Sequence, residues 1–152
     1  MKKIIKKIFF IGLIIFLLIQ LYQPVRNIGF EQDITASFTR VYRVPNNVEA
    51  ILRTSCYDCH SNNTNYPWYA NIQPLRFLME NHIKEGKENL NFSEWRNYSN
   101  RKQENKLDRI AKQIESNEMP LASYTLIHQQ AKLSEQQKQE VINWINTINT
   151  DE

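Results

Sequence analysis

Strand-like alternation is almost absent after residue 50, and glycine is scarce, with three copies in 152 residues. The first absence removes the βαβ units that a thioredoxin-like redox centre needs. The second leaves no glycine-rich loop to cradle the phosphates of a nucleotide. Paired catalytic carboxylates, internal repeats and low-complexity segments are also missing. Cysteine is confined to Cys56 and Cys59, so a zinc site would need two more ligands at finger-like spacing. The histidines outside that region, His82 and His128, stand 46 residues apart and form no such pair. The formal charge of +3 is carried by the N-terminus. Without Lys2, Lys3, Lys6 and Lys7, 15 of the 19 Lys and Arg remain against 16 Asp and Glu, a net of −1. No basic face is left for nucleic acid.

What is present is concentrated in one run, Cys56-Tyr57-Asp58-Cys59-His60. Two thiols followed at once by an imidazole, at C-x-x-C-H spacing, attach and ligate a c-type haem. Each cysteine adds across a haem vinyl group to give a thioether, and the histidine lies under the ring with a nitrogen aimed at the iron. The spacing therefore predicts one covalent haem c per chain, with His60 as the proximal ligand. A disulfide or a redox dithiol uses the same C-x-x-C but leaves the histidine unexplained. For the sixth position, Met119 offers a soft thioether, 59 residues after His60 in a loop stopped by Pro120. The alternatives are His128, His82 or an open iron. Met79, beside Leu75 and Leu78, reads as packing.

Residues 1–22 read as a membrane anchor. Lysines precede the apolar stretch Ile8 to Ile19, which extends through Leu21 and Tyr22 and is broken only by Gln20. Counted from Ile4 the segment is 19 residues, about 28 Å as a helix at ~1.5 Å per residue, close to the ~30 Å bilayer core. A cleaved signal peptide has the same layout, but Gln20-Leu21-Tyr22-Gln23-Pro24 offers no small-x-small cleavage site. No cysteine follows the apolar run to carry a lipid. Four lysines before the span and one arginine soon after it orient the N-terminus to the cytoplasm. The expectation is a single pass through the cytoplasmic membrane, with the C-terminal domain in the periplasm. Haem attachment to C-x-x-C-H outside that membrane agrees with this orientation.

Residues 23–45 read as a tether with some local order against the domain, and 46–152 as the haem domain. An Asn46 or Asn47 cap opens a helix with Val48, Ile51, Leu52 and Ser55 at helical spacing, running into Cys56. Pro74 opens another with Leu75, Leu78, Met79 and His82 on one side, interrupted at Gly86. Ser93 is placed to cap a short turn. Arg101 to Asn117 forms a helix on Leu107, Ile110, Ala111 and Ile114. The last helix begins at a Ser134/Gln137 capping box and carries Val141, Trp144, Ile145 and Ile148. The fold class is all-α. A helix entering C-x-x-C-H, a late Met-Pro loop and a closing amphipathic helix match class I cytochrome c organisation. Tyr66, Trp68, Tyr69, Phe77, Phe92 and Trp95 lie between the two ligands as candidates for the apolar lining, with Trp68 placed against the ring. Pro120 orients the Met119 loop. Arg76 reads as a solvated surface residue, with a propionate partner as the lesser reading.

The runs Cys56 to Asn62, Tyr66-Pro67-Trp68-Tyr69, Asn91 to Trp95, Glu118-Met119-Pro120-Leu121 and Tyr124…His128…Leu133-Ser134 resemble the haem-binding domain family. That family comprises small, membrane-tethered bacterial proteins of cytochrome c type. The resemblance spans nearly all of residues 25 to 148 and implies a haem-binding, electron-carrying role. The leading expectation is a membrane-tethered one-electron carrier with periplasmic or membrane redox partners. A peroxidase-type enzyme, or a haem-based sensor with a labile sixth ligand, is the alternative.

Overall fold

The computed structural model describes residues 1–29 and 37–150, the last two as backbone alone. Its elements are helical. They are α1 (Lys2–Ile19), α2 (Phe38–Val41), α3 (Asn46–Ser55), α4 (Tyr57–His60), α5 (Leu75–Asn89), α6 (Asn100–Glu115), α7 (Ala122–Ile127) and α8 (Glu135–Thr150). Short 3-10 turns cover Trp68–Asn71, Phe92–Asn97 and Gln129–Ala131. Among the described residues the sole extended pairing is one antiparallel bridge between Ile28 and Asn63. The all-α expectation is met.

The core is built where the periodic helices meet. Val48, Ile51 and Leu52 of α3, Leu107 and Ile114 of α6, and Val141 and Ile145 of α8 are buried together. At its centre stands Phe38, 1% exposed, edge-on to Trp95 at 4.6 Å and to Trp144 at 5.5 Å between ring centroids. Phe38 belongs to the stretch expected as a tether, so that stretch supplies core as well as connection. Burying one such ring contributes ~1.5–3 kcal/mol. Residues 30–36 of the tether lie outside the described residues.

Local signals hold in part. In the Ser134/Gln137 box, Gln137 Oε1 accepts from the Ser134 amide at 2.9 Å and Ser134 Oγ from the Gln137 amide at 3.2 Å. Helix α3 starts at Asn46 but its N-cap is Pro45 and no side chain caps it. The turn at Phe92 is capped by Asn91, whose side chain accepts from the Ser93 amide, and Ser93 itself is not the cap. Helix α5 does not stop at Gly86 but runs on to Asn89.

The N-terminal expectation changes most. No helix among the described residues is long and apolar enough to cross a membrane. Helix α1 has 18 residues, but its lysines fall in the first six positions. The charge-free part, Ile8–Ile19, is 12 residues, ~18 Å against ~30 Å. The helix ends at Ile19 rather than continuing to Tyr22. There the Gln20 side-chain amide turns back onto the Phe16 carbonyl at 3.0 Å.

Candidate functional site

The C-x-x-C-H run folds as a single turn. Cys56 breaks from α3 with φ −126° and ψ −42°, and its carbonyl accepts from the amides of Cys59 and His60. That turn brings Cys56, Cys59 and His60 to the wall of one cavity of about 340 Å³, within the usual range of ligand sites. Helix α5 backs the turn. Gly86 is needed there, since a Cβ would stand 2.6 Å from the Cys59 carbonyl oxygen. This glycine permits a close helix approach and does not break the helix.

The same approach orients His60. Its Nδ1 faces the carbonyl oxygens of Gly86 at 2.9 Å and Leu90 at 3.1 Å. Carbonyls only accept, so Nδ1 carries the proton and Nε2 keeps its lone pair for a metal. Burial holds the imidazole pKa below its usual value, which favours the neutral, ligating form. The polar loop after His60 is fastened in turn. Thr64 Oγ1 donates to the Asp58 carbonyl at 2.6 Å, and Asp58 Oδ1 accepts from the Asn65 amide at 3.1 Å. Asn27 reaches in to donate to the Ser61 carbonyl at 2.8 Å.

Both cysteines are free thiols and partly buried. Burial pushes the Cys56 thiol up to about 12 and the Cys59 thiol up to about 11, with smaller contributions from Cys59 and Asp58 respectively. A redox or metal-binding pair needs the opposite, since the thiolate is the reactive species. Among the described residues no group of three or more His, Cys, Asp or Glu is placed to hold a metal ion.

Met119 and Pro120 line the same cavity from the far end of α6. Asn117 adopts a left-handed φ of 61°. The Glu118 amide bonds the Gln113 carbonyl and the Asn117 amide bonds that of Ile114. This pair of bonds is a Schellman cap. It ends α6 and delivers Met119 to the cavity two residues later. His82 also lines the cavity, but from α5, the helix that braces His60. His128 lies elsewhere. Its ring stacks on Tyr124 at 4.4 Å, and its Nε2 meets the Tyr69 hydroxyl at 2.5 Å.

Trp68 is not at the cavity: it is 76% exposed and sits edge-on to Tyr69. Of the six aromatic residues expected to line the site, only Phe92 does so. The ring that sequence reasoning missed is Tyr124, which lines the cavity and donates to Asp58 Oδ2 at 2.7 Å. That bond ties α7 to the C-x-x-C turn. Also missed was the cavity face of α6, made of Lys106, Arg109, Ile110, Gln113 and Ile114. Their i, i+3, i+4, i+7, i+8 spacing was a readable stripe. Lys106 is buried beside the cavity and donates to the Asn89 carbonyl at 2.5 Å. Arg76 is neither solvated nor at the cavity. It is buried and donates to Gln23 Oε1 and the Pro24 carbonyl.

The donor set fits a haem. A neutral imidazole with a free Nε2 and a thioether share a cavity whose lining includes Leu90, Phe92, Ile110 and Ile114, with cations Lys106 and Arg109 available for propionates. No curated protein and no solved structure matches the chain. A model of the haem-binding domain matches residues 14–147, beginning inside α1 and including the stretch expected as a tether. The chain belongs to the haem-binding domain family.

Proposed function

We propose that this protein is a c-type, one-electron carrier attached to the cytoplasmic membrane, with its haem domain on the periplasmic side. One observation carries the reading: Cys56, Cys59, His60 and Met119 share one cavity. The haem supplies reversible one-electron exchange at its iron. Cys56 and Cys59 would hold the ring by thioethers, one haem per chain, and His60 would present Nε2 because Gly86 and Leu90 hold Nδ1. Met119 would supply the second iron ligand from the chain, and Pro120 would limit the loop that carries it. With two iron ligands supplied by the chain, no iron position would be left for a substrate, so a carrier fits better than an enzyme. Membrane attachment through α1 is supported by its four leading lysines and by the exposure of every residue from Ile8 to Leu18. Periplasmic or membrane proteins would then be the redox partners.

A second reading, a haem enzyme of peroxidase type, is favoured by one observation, that His82 lines the same cavity. Optical and EPR spectra of the purified chain separate the two. A low-spin iron with the far-red sulfur charge-transfer band is expected for the carrier. A high-spin iron with an exchangeable position would support the enzyme and overturn the carrier.

A further inference from the structure

The end of α1 is stitched to the start of α5. Gln20 Nε2 donates to the Gln73 carbonyl at 3.3 Å, and Gln20 Oε1 accepts from the Gln73 amide at 2.9 Å. Gln73 Nε2 donates to the Tyr22 carbonyl at 2.6 Å, and Arg76 donates to Gln23 and Pro24. Gln73 is 2% exposed and Arg76 9%, so these stitches lie inside the protein. The Tyr22 ring meets that of Phe77 at 6.3 Å.

A helix turns ~100° per residue. With Arg76 facing inward, Leu75, Phe77 and Leu78 must occupy the rest of the circumference. They do, at 43%, 43% and 51% exposure, and Trp68 and Ile72 just before them are exposed as well. The next exposed side chains along α5 are polar, His82, Lys84 and Glu85. The first turn of α5 is therefore an uncovered apolar face, held against the exit of an uncovered apolar helix.

We propose that this face, formed by Trp68, Ile72, Leu75, Phe77 and Leu78, lies in the interfacial layer of a lipid bilayer beside the point where α1 enters it. The inference rests on the membrane attachment proposed above. Continuity selects lipid as the occupant, because the buried stitches fix the face at the end of α1. Length agrees. The charge-free part of α1 spans ~18 Å of a ~30 Å core. A domain that sinks its apolar face and the exposed Leu21, Tyr22 and Val25 into the interface adds apolar depth at that end. Tryptophan at this level is the usual interfacial anchor. The domain would thus sit on the membrane in one orientation, with its haem cavity at a set angle to the surface.

Photolabelling of the full haem-loaded chain in phosphatidylcholine vesicles tests this. Two phospholipid probes are used, one with a diazirine near the headgroup end of the acyl chain and one at its terminal methyl. Peptide mass spectrometry is expected to find the shallow probe on residues 68–78 and on α1, and the deep probe on α1 alone. Paired Leu75→Glu and Leu78→Glu changes at exposed positions should remove label from 68–78 and leave α1 labelled. Label confined to α1 with both probes would overturn the docked face, leave the attachment standing and point to a protein as its occupant. Absence of label from α1 would overturn both.

Discussion

The two walls of the cavity are built differently. On one, Cys56, Cys59 and His60 occupy a single turn clamped against α5, with the imidazole held by two carbonyls and the thiols driven neutral by burial. On the other, Met119 hangs from a loop fixed by main-chain bonds at the end of α6, its side chain half-buried. The first wall holds its imidazole through main-chain carbonyls. The second offers a thioether whose position depends on loop packing. In the proposed carrier this asymmetry would separate two tasks, the clamped wall securing the cofactor and the loop wall tuning it.

The clamped wall should break most completely. Changing Cys56 and Cys59 together to Ser removes both thioether positions, so haem staining on a denaturing gel is expected to fall to zero while the parent chain stains. A parent chain that sheds its haem under denaturant would sink covalent attachment. The next largest effect is expected at Gly86. Ala is favoured over Gly inside a helix by ~1 kcal/mol, which would make Gly86→Ala stabilising if the site were open. The added Cβ, however, meets backbone at 2.6 Å. Overpacking of this kind costs ~1–3 kcal/mol, and backbone yields less readily than a side chain. Gly86→Ala should therefore lower the denaturation midpoint and the yield of loaded protein. A midpoint at or above the parent's would mean that α4 and α5 separate easily and that the clamp is not rigid.

On the loop wall, Met119→Ala should leave the haem attached but open the iron to cyanide. The reduction potential should fall by on the order of 0.1–0.3 V, a fraction of the ~0.8 V over which axial ligands set haem potentials. His82→Gln should change neither the spectrum nor the potential. If His82→Gln reproduces the loss and Met119→Ala does not, the sixth ligand comes from α5 and the contrast between the walls disappears.

The parts of this site legible in the sequence are those whose chemistry is local. C-x-x-C-H is read from five adjacent residues and Met119-Pro120 from two, and the structure brings both to one cavity. Helices α6 and α8 announce themselves by period, and the Ser134/Gln137 box by spacing. What was not legible depends on a partner far along the chain. A glycine inside a helical run reads as a break until the Cys59 carbonyl is seen beside it. Arg76 reads as surface until Gln23 and Pro24 fold back onto it. Phe38 reads as linker until Trp95 and Trp144 close around it. Trp68 misleads the other way, since aromatic composition alone does not say which ring faces the cavity.

The smallest expected effect concerns the cations of α6. Arg109 is exposed and lines the cavity one turn beyond Lys106, so a haem propionate is its natural partner. A positive charge there disfavours the oxidised, more positive iron, so Arg109→Gln should lower the potential. Exposed ion pairs are worth ~0.2–1 kcal/mol, and ~2.3 kcal/mol corresponds to 100 mV per electron, so the shift should be about 10–40 mV. It should shrink at ~1 M salt, where the screening length falls to ~3 Å. Lys106→Met is a different experiment. That ammonium is buried, caps the last carbonyl of α5 and lies over the Tyr98 ring at 4.7 Å, so stability should fall along with the potential. A shift for Arg109→Gln that matches Met119→Ala in size, or ignores salt, would mean that the arginine positions the distal loop and does not act through its charge. The loop wall would then be as tightly built as the clamped one.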